Sequence, residues 1–258
     1  MPLNVAVCVK QIPDPATPGK LDPDTKFLVR EGKLILDDSD AYGVEMALQL
    51  VDKAGGGEVT LVSMAPNDET SGLRTALAMG AAKAILVSDD SLRGSDALTT
   101  AKVLAAAIKR ISPDLVIAAT ESTDGYTGTT PVQIAEVLGL PSVSFAKKVE
   151  VADGTVKVDR QTEAGYDEVE CPLPAVVTVT AGVVEPRYPS FKGIMAAKGK
   201  PVETLKVADL EGVDRAGQVG QTITDVVAAE ERKAGEIVED DGEAHVRIVQ
   251  FLEQLKVI

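Results

Sequence analysis

A chain of 258 residues, 45% of them hydrophobic, is long enough to bury a large core, and 26 basic against 40 acidic side chains leave it a formal net charge of -14. That balance argues against nucleic acid as the main partner and against strong binding to an anionic membrane, since both depend on concentrated Lys and Arg. Two cysteines far apart in sequence, Cys8 and Cys171, and a single histidine, His245, argue against a zinc, haem or iron–sulfur centre; any Cys–His pair or histidine base would have to be built from His245 alone.

The first 140 residues alternate short β-branched runs with longer helical patterns. Strands are predicted at Val5–Val9, Glu58–Ser63, Ala84–Ser88 and Leu115–Ala118, and helices at Tyr42–Val51, Ser71–Met79, Ala97–Ile111 and Val132–Leu138. This rhythm is βαβ. Continuous apolar strands such as Leu115–Ala118 suit a mostly parallel sheet covered on both faces, so the fold class is α/β, Rossmann-like and doubly wound, with ligands expected at the carboxyl ends of the strands. Hairpins are predicted for Phe27–Arg30 with Lys33–Leu36 around Glu31-Gly32, and for Lys148–Val151 with Thr155–Asp159 around Asp153-Gly154. Further strands at Tyr166–Cys171 and Ala175–Thr180 are expected to add mixed or antiparallel pairing.

After Leu210 the character changes, because Gly, Asp, Glu and Thr dominate through Gly242. The chain is therefore divided into an α/β domain, 1–210, and an extended C-terminal arm, 211–258. The arm ends in a helix whose Ala244, Ile248, Phe251, Leu252 and Leu255 form one apolar face, available either to its own domain or to a partner subunit. No run of eighteen apolar residues occurs and the first ten residues carry no leader pattern, so a cytoplasmic location is expected.

Two segments carry the chemistry. The run from Ala118 to Gln133 reads strand, polar glycine loop, helix; unpaired amides at a helix N-terminus beside Ser and Thr hydroxyls suit a phosphate, although an unliganded capped loop would use the same residues. Neither G-x-G-x-x-G nor G-x-x-x-x-G-K-[ST] occurs, which argues against a P-loop and against the dinucleotide fingerprint. Asp37, Asp38 and Asp40 precede a helix, where capping alone would account for them. The second segment, Val184 to Pro201, is a two-proline loop with Arg187, Tyr188 and Phe191 ahead of a short helix carrying Ile194 and Met195, the kind of exposed anchor that docks partners.

The chain resembles the β subunit of the electron-transfer flavoproteins, the family that includes the FixA-type proteins. The resemblance runs from residue 3 to about 210. It rests on Cys8-Val-Lys-Gln-Ile-Pro-Asp14, Asp40-Ala-Tyr-Gly-Val-Glu-Met-Ala-Leu48, Leu73-Arg-Thr-Ala-Leu-Ala-Met-Gly-Ala81, Asp124-Gly125 with Gln133-Ile-Ala135, and above all Glu185-Pro-Arg-Tyr-Pro-Ser190 with Ile194-Met195-Ala-Ala-Lys198. It implies a heterodimer with an α subunit that holds most of an FAD, and AMP in this subunit. It also implies electron donation by flavoprotein dehydrogenases such as acyl-CoA dehydrogenases, and delivery to a membrane quinone oxidoreductase.

Carried over by position, the implied AMP contacts are Cys8; Asp37, Asp38, Ser39 and Asp40; Met64; and Ser122, Thr123, Asp124, Gly125, Tyr126, Thr127, Gly128, Thr129, Thr130, Pro131, Val132 and Gln133. The implied partner-recognition loop is Tyr188, Pro189, Ser190, Phe191, Lys192, Gly193, Ile194 and Met195, with Phe191 in the place of its leading anchor. Many relatives carry Asn-Pro-aromatic where this chain has Asp37-Asp38-Ser39, and some members of the family hold a second FAD in place of AMP. No catalytic acid or base is expected, since the redox chemistry belongs to the flavin. A free-standing nucleotide-binding regulator of the universal-stress type would share the α/β layer and the glycine loop but would have no need of the arm.

Overall fold

The apolar run Leu3–Cys8 (β1) becomes an interior strand, fourth in a nine-stranded sheet, because each of its faces meets a different pair of helices. The computed structural model describes residues 2–258 other than Glu31, Pro66, 214–219, 228–234, Glu236 and Asp241. Those residues fall into two compact units, Met1–Ile223 and Thr224–Ile258.

In the first unit, a two-stranded ribbon of Gln11–Pro13 (β2) and Leu34–Leu36 (β3) follows β1, and helix Asp38–Lys53 (α1) leads to Gly57–Ala65 (β4). Helix Ser71–Met79 (α2), strand Lys83–Ser88 (β5), helix Ala97–Lys109 (α3), strand Leu115–Ala119 (β6) and helix Thr130–Leu138 (α4) complete the alternation. Then come Ser142–Ala152 (β7), Thr155–Thr162 (β8), Gly165–Pro172 (β9), Ala175–Val179 (β10), the short helix Phe191–Ala197 (α5) and Val202–Leu205 (β11).

The strand order is β11-β5-β4-β1-β6-β10-β7-β8-β9, parallel from β11 to β7 and antiparallel through the last two strands. Alternate residues of β1 divide the core. Val5 and Val7 pack with α1 and α2, whereas Ala6 and Cys8 face α3 and α4. The winding reverses between β1 and β6, and a crevice opens at such a reversal outside the carboxyl ends of the strands.

The eight strands and helices expected in the first 140 residues are all present, and the hairpin around Asp153-Gly154 is the β7–β8 turn. The hairpin expected for Phe27–Arg30 with Lys33–Leu36 is not what forms. Residues 34–36 pair with β2, Leu28 makes one isolated bridge to Leu21, and Glu31 lies outside the described residues. In that ribbon the fully buried Ile12 stands opposite Ile35, and Gln11 and Pro13 stand opposite the buried Leu36 and Leu34, a longer-range pairing than a local turn signal can show. Strand β10, expected as an addition, is an interior parallel strand, and β11 was not foreseen. In the second unit the terminal helix Ala244–Gln254 (α6) has the expected amphipathic spacing and buries none of its residues.

Candidate nucleotide-binding site

A cleft of about 520 Å³ lies at the reversal point. Its apolar floor is made by Cys8 at the end of β1, Met64 of β4, Ala118 of β6, and Leu104 and Ile134 from α3 and α4. Its polar wall is the loop from Thr120 to the start of α4. In that loop Tyr126 takes φ 48° and Gly128 φ 64°, both left-handed, so the chain doubles back before Pro131 enters the first turn of α4. A Cβ on Gly125 would stand 3.3 Å from the Ser122 hydroxyl and 3.6 Å from the Lys10 ammonium, so glycine lets the backbone come close to both.

Three carboxylates converge beneath the loop. Asp37 caps α1 by accepting the Ser39 N–H at 3.0 Å, and its other oxygen accepts the Thr123 N–H at 2.7 Å and the Thr123 hydroxyl at 3.1 Å. Asp40 accepts the Lys10 N–H at 2.6 Å, and burial pushes its carboxyl well above the usual range. Burial would also raise Asp124, but the charges and hydrogen bonds of Lys10 and Arg30 outweigh it and hold that carboxylate below its usual range. Lys10 Nζ sits 2.6 Å from one Asp124 oxygen and 3.1 Å from Ser122 Oγ, and Arg30 Nη2 bonds the other Asp124 oxygen. Burial first, then the Asp40 charge, pushes the Cys8 thiol up to about 12, which makes it a packing group and not a nucleophile.

Of the nucleotide contacts read from the sequence, Cys8, Asp40, Met64, Ser122, Asp124, Gly125, Thr127, Gly128, Thr130 and Pro131 line the cleft. Asp37, Asp38, Ser39, Thr123, Tyr126, Thr129, Val132 and Gln133 lie outside that lining. Asp37 and Thr123 spend their polar groups on each other, Asp38, Tyr126 and Val132 are exposed, and the Thr129 carbonyl accepts the Gln133 N–H. Sequence reading missed a second wall, formed by Leu92–Ala97 and Thr100 ahead of and within α3 and by Lys26–Leu28, with Gln221 and Ile223 also in the lining. Gly94-Ser95-Asp96 was the available signal, a glycine followed by an N-cap, since Asp96 Oδ1 accepts the Thr99 N–H at 2.7 Å.

The loop expected to meet partners is a separate feature. Tyr188 is 93% and Phe191 81% exposed, and Ile194 and Met195 are exposed beside them. Ser190 caps α5 by accepting the Gly193 N–H at 3.1 Å. Arg187 fixes the loop's entry through Glu45 of α1, with Nε at 2.6 Å and Nη2 at 3.1 Å from the carboxylate. Its exit is fixed by Arg74 of α2, which donates to the Ala197 and Lys200 carbonyls at 2.7 Å each, and by Lys200 Nζ, which donates to Leu77 and Ala81 carbonyls at 2.8 and 2.6 Å. Four exposed apolar side chains thus stand on a backbone tied at both ends.

Residues 25–210 match the family model described as the electron transfer flavoprotein domain. Relatives named electron transfer flavoprotein subunit beta from Mycobacterium tuberculosis and Mycobacterium leprae are 41% and 39% identical over 265 and 264 residues, 99% of each chain. A caffeyl-CoA reductase-Etf complex subunit of Acetobacterium woodii is 39% identical over 210 residues, 81% of this chain and 80% of its own. The chain belongs to the electron-transfer flavoprotein β-subunit family.

Proposed function

We propose that this chain is one half of a heterodimeric electron carrier: an α subunit holds most of an FAD, AMP occupies the cleft of this subunit, and the loop from Tyr188 to Met195 receives flavoprotein dehydrogenases. Electrons would then pass to a membrane quinone oxidoreductase, and acyl-CoA dehydrogenases are the expected donors. The observation that carries the reading is the pairing, on one domain, of a cleft at the reversal point with an exposed apolar loop held rigidly by Arg187, Arg74 and Lys200. Neither feature contributes a reacting acid, base or nucleophile; the flavin supplies the redox chemistry when bound.

The residues of the cleft fit an adenine mononucleotide. The slot from Cys8 to Met64 and Ala118 is apolar and bounded by strand ends, which suits a purine ring. Glycines and hydroxyls at the start of α4 suit a phosphate, with Gly128 at a left-handed φ of 64° where the loop turns. Asp37, fully buried and bonded to Thr123, holds that loop in place. The apolar residues of α6, Ile248, Phe251 and Leu255 among them, are exposed within their own unit and suit docking on the α subunit, with residues 211–258 acting as the arm that delivers them. Similarity to the mycobacterial β subunits runs through that arm, whereas the match to the Acetobacterium subunit covers about four-fifths of the chain. Among the described residues no helix is long and apolar enough to cross a membrane, and a cytoplasmic carrier meeting its quinone oxidoreductase at the membrane surface fits that.

Co-expression with a candidate α subunit, followed by quantitation of FAD and AMP released on denaturation, tests the reading. One FAD and one AMP per heterodimer is the expected result. Two FAD and no AMP would put a second flavin in the cleft, and the absence of heterodimer and flavin would overturn the assignment.

A further inference from the structure

We propose that Lys10 and Arg30 are the cations that make the cleft select a phosphorylated nucleotide over the bare nucleoside, with Asp124 as the residue that positions both. The inference rests on reading the cleft as a nucleotide site and adds to the glycine loop a charged element drawn from two other parts of the chain.

Three observations support it. First, both side chains line the cleft, and they reach it from different elements: Lys10 follows β1 directly, while Arg30 comes from the irregular segment ahead of β3. Second, they share a single carboxylate. The Asp124 side chain is 7% exposed and takes Lys10 on one oxygen and Arg30 on the other, so two positive charges face one negative charge at the mouth of the loop. The other acids do not neutralise the pair: Asp96 lines the cleft beside Lys26 and Arg93, and it spends its oxygens on the Thr99 and Gly220 N–H groups. Asp37 is committed to Ser39 and Thr123, and Asp40 accepts the Lys10 backbone N–H while burial works against its ionisation. Glu121 is exposed, where water screens it. Third, the Lys10 ammonium lies against the backbone of the loop itself, bonded to Ser122 Oγ and 3.6 Å from the point where a Cβ on Gly125 would stand, and Thr127, Gly128 and Thr130 line the same cleft.

Amides and hydroxyls at a helix N-terminus accept many oxygen ligands and discriminate weakly between a neutral hydroxyl and a dianionic phosphate. Charge-assisted hydrogen bonds are roughly twice as strong as neutral ones, so a pair of cations beside the loop supplies the discrimination. Asp124 keeps the two cations from standing unpaired and sets their direction. Because it also offsets part of their charge, it works against the phosphate electrostatically, and its neutral isostere should act opposite in sign to loss of either cation.

The test is isothermal titration of the full-length chain with AMP and with adenosine at one fixed ionic strength, for the wild type and for Lys10→Gln, Arg30→Gln and Asp124→Asn. The wild type should prefer AMP. Each cation variant should weaken AMP by about tenfold while leaving adenosine within about twofold. Arg30→Lys should restore much of the preference, and Asp124→Asn should widen it. If AMP and adenosine weaken together in the cation variants, or if neither changes, Lys10 and Arg30 are structural and the inference is overturned. A glutamine variant that fails to fold leaves Asp124→Asn to decide, since an unchanged preference there overturns the inference equally. A wild type that binds neither compound overturns the nucleotide reading itself, a result distinct from a wild type that binds AMP but shows no dependence on the two cations.

Discussion

Arg187 and Glu45 form an ion pair of unequal surroundings: the Glu45 side chain is 4% exposed and the Arg187 side chain 40%. The two deletions should therefore differ. Arg187→Ala leaves an enclosed carboxylate with only Gln49 Nε2, at 2.8 Å, and the residue-187 amide to satisfy it, whereas Glu45→Ala leaves a guanidinium that water can reach. We expect Arg187→Ala to cost about 2 kcal/mol and Glu45→Ala less, read from urea unfolding midpoints with the slope unchanged. Burial opposes the Glu45 charge, but the Arg187 and Gln49 bonds prevail and its pKa is lowered on folding. A carboxyl lowered on folding adds stability above its unfolded pKa and loses that contribution as pH falls through the folded value. The acid limb of the stability curve should shrink in Glu45→Gln.

Phe191 is 81% exposed, so Phe191→Ala removes little buried area and should leave the unfolding midpoint within about 0.5 kcal/mol of wild type. If the loop docks dehydrogenases, the same change slows reduction by the donor while flavin content in the heterodimer stays intact. Loss of flavin would instead make Phe191 part of the scaffold.

Gly72 sits in the first turn of α2, where an alanine would ordinarily strengthen a helix by up to about 1 kcal/mol. Here a Cβ would stand 2.8 Å from the Leu36 N, 2.9 Å from the Ile35 carbonyl carbon and 2.9 Å from Gln11 Cγ. Two of those atoms are backbone, so α2 would have to lift from the β2–β3 ribbon. The clash should win, with Gly72→Ala destabilising by about 2 kcal/mol or more on thermal or urea unfolding.

Asp37 shows how far the sequence could be read. An acidic group before a helix was legible as a cap, and the Ser39 N–H does bond it. Its second bond, to Thr123, spans 86 residues, and no local pattern reports it. The same holds across the molecule. The βα alternation was visible because β-branched runs and helical spacing are local, while the β2–β3 pairing and edge strand β11 depend on which distant apolar residues share a face. In the cleft, the glycine loop stood out by composition, but the wall at Leu92–Ala97 and Thr100 is made of ordinary residues brought there by the winding of the sheet. Asp37→Ala should therefore do two things: cost about 1 kcal/mol as a lost cap, and weaken nucleotide binding through a loosened loop, measured by unfolding and by AMP titration of the same preparation.

Both cysteines are free and buried, and Cys8 has the larger shift, from 9.0 to about 12. A thiol whose pKa rises on folding contributes stability that is fully present below its unfolded pKa and is lost as pH rises through the folded value. The window is alkaline, from about pH 9 towards pH 12. In that range the native state resists deprotonation that the unfolded chain accepts freely, so stability should fall progressively, and Cys8→Ala should remove part of that fall while leaving a small cavity at the end of β1. Burial also raises Cys171. At pH 8 a thiol reagent should label neither residue in the folded protein and both after denaturation. Rapid labelling of Cys8 in the native state would mean that the apolar floor of the cleft opens far more readily than its packing against α3 and α4 indicates.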